Sequence, residues 1–535
     1  MSSGDGERSV PPGEPPPTDN FYSPENATFY EQQPYQPLDS SKREIRLLKV
    51  LRDVQSGSLR FTLMPPIPLE QADTYTAISY CAGDPKNTRS LEVNGIQFNA
   101  FANLALAIDE ICHYRLQVHG DSEPLLWTDQ ICINQSNPME RSHQVGFMYA
   151  IYSHAREVVI CLSTQHVDGL AIEWVQHMEW KVTKHSDGPS LTWRKIFEER
   201  TAYCMSNIND DRFMRGWVDV VKMIEQPWWR RAWVVQEFAA ARDVYFIYGR
   251  QSIHWKTLST SLSQYFQVQE LIVSARDFPQ NRQLGFLEKR TQQAEDAVSF
   301  ILTLKRFGLR DFTDLLIHHS CSCEASDQRD RIYAFLGFPN AYGIEPDYRP
   351  ENSVQAVFTE TARRMILGNE TIGGLSYAVT ARGDLSPTLP SWVPDWTCKR
   401  QSSNVSPFGP TISFTGLSRV IPEAEFSDQG KTLEASGIYV GTLTRQVSQN
   451  LDPTGYFSTE HKDEFSTTSV ATINDQVWIL YTAPVPFVLR SSGDGFRLIC
   501  RAVRSLMGCP FEVDVFHRLI DQVTEDAGWK RIKIY

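Results

Sequence analysis

The sequence predicts an α/β fold: a parallel sheet with helices on both faces, followed by a mainly helical region and a β-rich C-terminal region. Three observations carry this. Apolar, β-branched runs at Tyr75–Tyr80, Leu125–Trp127, Glu157–Ser163 and Val244–Tyr248 alternate with stretches of helical period, the pattern of strands joined by crossover helices. Between 255 and 380 the apolar spacing is mainly helical. From Leu433 the composition turns to strands, and Val485–Arg490 and Phe496–Cys500 flank a Ser-Ser-Gly-Asp-Gly turn.

Taken in order, residues 1–37 are rich in Pro, Ser, Glu and Gly and read as a disordered tail. Its aromatics (Phe21, Tyr22, Phe29, Tyr30 and Tyr35) are available to pin part of it to the body. A first domain spans 38–250, with its core at 75–240. In it, Asn94-Gly95 is a strong hairpin signal, and Asn103–Cys112 has helical spacing. Asn137, Pro138 and Glu140 form a helix start: a cap, a first-turn proline, and an acid able to reach back to the cap. The helix from Pro138 carries Val145, Met148, Tyr149 and Tyr152 on one buried stripe. A long stretch, 164–226, is able to cap whatever lies at the strand ends. Pro227 opens a helix through Ala241. Residues 251–380 form the helical region, 381–432 an irregular linker, and 433–535 the β-rich region.

The bulk numbers limit the function. At 535 residues the chain can bury several cores, and its formal net charge of −12 disfavours nonspecific nucleic-acid binding. No apolar run suits a membrane span, and the N-terminus lacks an apolar signal core. Ten cysteines, mostly isolated in apolar segments, suit free thiols in a reducing compartment. The expected location is cytoplasmic.

Open α/β sheets bind ligands beyond the carboxyl ends of their strands. Asp129 and Asn134, just past the strand at 125–127, are therefore candidate ligand residues, although both are also ordinary turn formers. The His318–Cys323 cluster lacks the second spaced pair that a zinc site needs, so no metal is expected. Cys132 has no evident base and reads as a buried thiol. Asp327, Arg329, Asp330 and Arg331 read as an ion-pair network at a helix start.

Four blocks resemble the fungal heterokaryon incompatibility (HET) domain: YTAISYCAGD at 75–84, LWTDQICINQSNPMER at 126–141 with Gln144, IYSHA at 151–155, and WWRRAWVVQE at 228–237. DQRDRIYAFLGF at 327–338, LPSWVPDWT at 389–397 and PFVLR at 486–490 extend the resemblance. It implies self/non-self recognition and programmed cell death after cell fusion. One departure is Ala82, which stands where the family usually has a tryptophan.

HET domains are in turn similar to TIR domains, which implies a TIR/flavodoxin-like sheet. The corresponding residues here are Ser79-Tyr80, Asp129, and Trp233 with Glu237 in Trp-Val-Val-Gln-Glu. By that resemblance Glu237 is the catalytic residue, Ser79, Tyr80, Asp129, Asn134 and Trp233 line the ligand, and NAD is a substrate, with no cofactor required. On one helix Trp229, Trp233 and Glu237 would share a face. Burial would raise the Glu237 pKa and Arg230 or Arg231 would lower it. Nicotinamide is a cationic leaving group, so one carboxylate stabilising an oxocarbenium-like state can suffice. The alternatives are a non-catalytic module that self-associates or docks a partner, and a degenerate regulatory member signalled by Ala82. Convergence of Ser79, Asp129 and Glu237 on an open cleft favours the enzyme. A Glu237 buried in an ion pair favours the module.

Overall fold

The computed structural model describes residues 26–52, 59–398, 423–504 and 529–535, except for 73, 122, 168, 185–192, 208, 275–281, 308–310, 370–371, 373, 380–385, 448–454, 462–463, 468–469 and 484. The first domain is built on a nine-stranded sheet. Its strands are β1 (Leu48–Arg52), β2 (Leu59–Leu63), β3 (Thr76–Tyr80), β4 (Thr88–Val93), β5 (Ile96–Phe101), β6 (Leu125–Trp127), β7 (Glu157–Cys161), β8 (Val244–Tyr248) and β9 (Gln251–His254). Their spatial order is β9-β8-β7-β3-β6-β1-β2-β4-β5.

All four expected strands lie in this sheet, and β8, β7, β3 and β6 run parallel. The sheet as a whole is mixed, which corrects the parallel expectation. β9 pairs antiparallel with β8, and β1 antiparallel with β6. For β8–β9 and β4–β5 the reason is local, since each is a hairpin and a tight turn can join only antiparallel strands; β1 and β6 pair across a long stretch of chain. The β4–β5 turn is Asn94-Gly95, both residues at positive φ (54° and 75°), as a type I′ turn requires.

Helices cover both faces of the parallel core. α1 (Ala102–His119) supplies Glu110 to the Cys161 thiol and Arg115 to Glu157, so it lies over the face of β7 that carries those side chains. The opposite face carries Ser79 and Phe246, which meet the segment 227–238. The expected helix from Pro138 is two, α2 (Pro138–Gly146) and α3 (Met148–His154), broken at Phe147. Val145, Met148 and Tyr152 are nonetheless buried, whereas Tyr149, expected on the same stripe, is half-buried. Asn137 caps α2 as expected. Glu140 does not reach back to the cap: its carboxylate takes the Arg46 guanidinium at 2.7 and 3.0 Å and the Asn134 N–H at 2.7 Å. A charged donor outcompetes a neutral N–H for the same oxygens.

The tail expectation also needs correction. Residues 1–25 lie outside the described residues, but 26–37 are docked. Ala27–Glu31 is a short helix that buries Phe29 against Phe98, and Tyr35 donates to the Ile131 carbonyl at 3.0 Å. The aromatics outweigh the composition because each buries a large apolar area.

The stretch 164–226 forms helices at Ala171–Lys184, Trp193–Asn207 and Asp211–Ile224. Trp174 and Trp217 pack on Tyr265 of the helix Trp255–Ser274. Helices dominate up to Leu375–Ala378. Residues 386–398 are irregular, 399–422 lie outside the described residues, and Glu425–Ser427 is a short strand. In the C-terminal region Thr432–Val447 pairs with both Lys530–Ile534 and Gln476–Leu480, which closes that sheet on itself. Among the described residues no helix is long and apolar enough to cross a membrane.

Arg46 ties the docked tail to the domain. Its side chain is 1% exposed and also donates to the Gln36 and Cys132 carbonyls. Arg46→Ala strands the half-buried Glu140 carboxylate and is expected to cost about 3–5 kcal/mol, read as a lower denaturation midpoint. Limited proteolysis should then cut within 26–37 before the rest of the domain.

Candidate functional site

The polar residues of the site lie where the parallel strands end. Ser79 and Tyr80 close β3, Asp129 follows β6, and Glu237 lies on α4 (Val234–Ala239), between β7 and β8 in the chain. Glu237 Oε2 accepts the Ser79 hydroxyl proton. Ser79 Oγ in turn accepts the Trp228 indole N–H at 2.7 Å. Glu237 Oε1 is 3.8 Å from Arg231 Nη1, and the same nitrogen donates to the Tyr80 carbonyl. The Tyr80 hydroxyl donates to Asp129 Oδ1 at 3.1 Å, which also accepts the Gln130 N–H at 2.7 Å.

This segment is not one helix, contrary to the expectation of Pro227 to Ala241. Pro227–Arg230 is a 3₁₀ turn, Arg231 is extended, and α4 starts at Val234. The break is stabilised from outside: Glu324 N–H donates to the Arg230 carbonyl at 2.6 Å, and Ala232 N–H to the Glu324 carbonyl at 3.1 Å. The tryptophans therefore do not share a face with Glu237. Trp229 stacks on Phe246 and donates to the Met223 carbonyl at 3.1 Å. Trp233 turns to Asp330.

Electrostatics follow from burial. Glu237 is 4% exposed, and desolvation raises its pKa to about 7 although Arg231 and Ser79 pull it down. Of the two arginines considered from the sequence, Arg231 is the one at the carboxylate, while Arg230 pairs with Glu324 at 2.9 Å. Asp129 is likewise raised by desolvation, opposed chiefly by Arg231.

Residues 75–237 match the family model described as heterokaryon incompatibility protein (HET). This chain carries a HET domain. Over 380 residues it is 28% identical to "Heterokaryon incompatibility protein 6, OR allele" of Neurospora crassa. The alignment covers 62% of this chain and 54% of that relative, so the chain spans about half the length of the curated protein it matches. No solved structure matches.

Within the HET domain, Ser79, Tyr80, Asp129 and Glu237 are brought together, linked through Arg231. Asn134 is not among them. Its side chain accepts from Ser136 N–H at 3.1 Å and Ser136 Oγ at 2.6 Å, the turn role. Trp233 stands apart with Asp330, whose carboxylate also accepts the Tyr348 hydroxyl at 2.5 Å. Of the expected ion-pair network, Asp327 and Arg329 pair at 2.7 Å, Asp330 feels the charge of Arg141, and Arg331 donates instead to Gln328 Oε1 and the Ser320 carbonyl. Burial lifts the Asp330 pKa to about 6.

Trp228 and Glu324 were not foreseen. The Trp-Trp doublet signals burial but not which indole meets Ser79, and Glu324 is remote in sequence. Cys132 is a buried thiol as expected, its pKa raised to about 12 by desolvation. His319 stacks on Phe300, 3.9 Å between ring centres, and Cys323 Sγ donates to the His319 carbonyl at 3.3 Å. Among the described residues no group of three or more His, Cys, Asp or Glu side chains is placed to hold a metal ion.

A buried acid whose pKa rises from 4.5 to about 7 on folding holds its proton more tightly in the folded state. Its stabilising contribution is fully present below the unfolded pKa and is lost as pH rises through the folded value, by up to about 3 kcal/mol. Glu237→Gln lacks this dependence. Its unfolding free energy relative to the wild type should therefore improve from about pH 5 to about pH 8, read from urea melts. A difference that stays flat with pH would show that Glu237 titrates normally.

Proposed function

We propose that this chain acts in fungal self/non-self recognition and the programmed cell death that follows incompatible fusion, with its HET domain as effector. The family match and the Neurospora relative support the incompatibility role. For the effector chemistry we infer TIR-like cleavage of NAD, with Glu237 catalytic. The observation that carries this is the contact of Ser79 and Glu237 at the carboxyl ends of parallel strands. The order β6-β3-β7-β8 corresponds to 2-1-3-4, the flavodoxin order, in which ligands bind between the first and third strands. Here those strands are β3 and β7, which supports the TIR/flavodoxin-like reading.

In the reaction the ribose C1′–N bond breaks and its electron pair neutralises the pyridinium, releasing nicotinamide. Ionised Glu237 stabilises the oxocarbenium-like ribose. Water adds at C1′ and loses its proton to Glu237, giving ADP-ribose. Glu237 then releases that proton to solvent, and Arg231 and Ser79 favour its ionised form against the larger effect of burial. For NAD to reach this carboxylate, which is 4% exposed, Arg231 would have to move aside. Ala82 is half-buried two residues beyond Tyr80, and a tryptophan there would add a stacking surface.

Glu237 is buried in an ion pair with Arg231, the outcome expected of a non-catalytic module, and this favours a second reading. Ser79, Trp228 and Arg231 brace a structural carboxylate, and the domain works without turnover as a homo-oligomerising or partner-docking module.

Purified full-length protein incubated with NAD separates the two. Glu237→Gln should lower the rate by on the order of a hundredfold or more, and wild-type activity should rise with pH to a half-maximum near 7. A folded Glu237→Gln protein that matches wild type ends the enzymatic reading. Wild-type protein that self-associates in sedimentation yet leaves NAD intact selects the module. Ala82→Trp should raise NAD loss if the missing aromatic limits ligand binding.

A further inference from the structure

The segment that carries Glu237 is gripped at both ends by the helical region that follows it in the chain. The 3₁₀ turn Pro227–Arg230 and α4 have four and six residues, too few to hold their shape without tertiary contacts. At the near end Glu324 holds the extended step between them. Its N–H donates to the Arg230 carbonyl at 2.6 Å, its carbonyl accepts the Ala232 N–H at 3.1 Å, and Arg231 and Glu324 form an isolated parallel bridge. At the far end Lys305, on the helix Arg282–Phe307, donates to the Phe238 carbonyl at 2.9 Å and to the Ala241 carbonyl. Its Nζ also lies 5.2 Å from the centre of the Phe238 ring. Between these ends Gln236 Nε2 donates to the Tyr333 carbonyl at 3.3 Å.

The two ends are unequal. Lys305 is a charged donor on two carbonyls, which makes strong bonds. Glu324 adds to its main-chain bonds only an ion pair with Arg230, at 2.9 Å, whose side chains are 61% and 35% exposed and which water and salt screen. The partners of the carboxylate are unequal too. Ser79 is fixed in β3, between β6 and β7, whereas Arg231 lies in the extended step that Glu324 holds. We propose that Glu324 is a releasable clasp that controls access of solutes to Glu237. When its bonds to Arg230 and Ala232 open, residues 230–232 move out between two fixed points, the buried Trp228–Trp229 pair and α4. Arg231 leaves the carboxylate with them. As regulation of catalysis this rests on the reading of Glu237 as the reactive group; as control of access it does not.

The test is Glu324→Pro in the full-length protein. It removes the N–H given to Arg230 and the side-chain pair together, and Cys323 before it is already extended (φ −83°, ψ 157°), as a following proline requires. Carboxyl groups are labelled with a water-soluble carbodiimide and glycine ethyl ester, and the sites are mapped by peptide mass. Glu237 should label faster than in the wild type by about tenfold or more, as the open fraction rises. Glu157, 3% exposed at the start of β7, should stay unlabelled in both. Labelling of Glu237 no faster than in the wild type overturns the clasp. The same proteins are incubated with NAD. Faster labelling with faster NAD loss supports clasp and enzyme alike, and faster labelling with NAD intact in both proteins keeps the clasp and ends the NAD reading. Faster labelling with NAD loss below that of the wild type overturns the clasp as a restraint on catalysis. If Glu324→Pro does not fold, hydrogen exchange of the wild-type protein decides. The Ala232 and Glu324 amides, bonded across the clasp, should exchange well before those of Val158–Ile160 in β7; exchange as slow as in β7 overturns the proposal.

Discussion

A carboxylate buried at the end of a β-sheet must find partners, and much of the HET domain around Glu237 is arranged to supply them. Removing the charge from water costs several kcal/mol unless hydrogen bonds and an opposite charge replace the solvent. The hydroxyl comes from Ser79 on β3 and the cation from Arg231. The segment after Pro227 is not a continuous helix, and the break is what brings that cation to the carboxylate. In an unbroken α-helix Arg231 and Glu237 would lie about 9 Å apart along the axis and about 240° apart around it. The extended step at Arg231 turns the guanidinium back to the carboxylate, and Glu324 satisfies the backbone groups that the break exposes.

Support for the site therefore extends beyond the residues matched by the family model. Glu324 comes from the helical region, as does Asp330, which receives the Trp233 indole just before α4. Gln236 also donates to the Tyr333 carbonyl at 3.3 Å. The buried hydrophobic cluster is continuous from Phe29 through the sheet and helical region to Ile534. A core shared this widely makes the position of α4 depend on residues more than 85 places away in the chain.

Closure is the other consequence. The groups that stabilise Glu237 are the groups that cover it, so any chemistry at this carboxylate is coupled to a rearrangement of its supports. Burial keeps its pKa near 7, where a small change in surroundings changes its protonation.

The sequence by itself determined the elements with strong local signals. The four β-branched runs became the parallel core, Asn94-Gly95 became the hairpin turn, and Asn137-Pro138 became a capped helix start. These choices depend on side-chain period, backbone permissiveness and groups a few residues apart, all present in a local window. The motif blocks likewise singled out Ser79, Tyr80, Asp129 and Glu237, which the fold brings together. Only the tertiary structure decided that residues 26–37 dock, that Glu140 serves Arg46, that the helix breaks before Val234, and that Trp228 and Arg231, not Trp229 or Trp233, attend Glu237. Each of these outcomes rests on a partner distant in the chain: Phe98, Arg46, Glu324 or Ser79. Competition between local and remote partners for one buried group is settled by which pairing leaves the least polar surface without a bond, and that comparison exists only once the chain is folded.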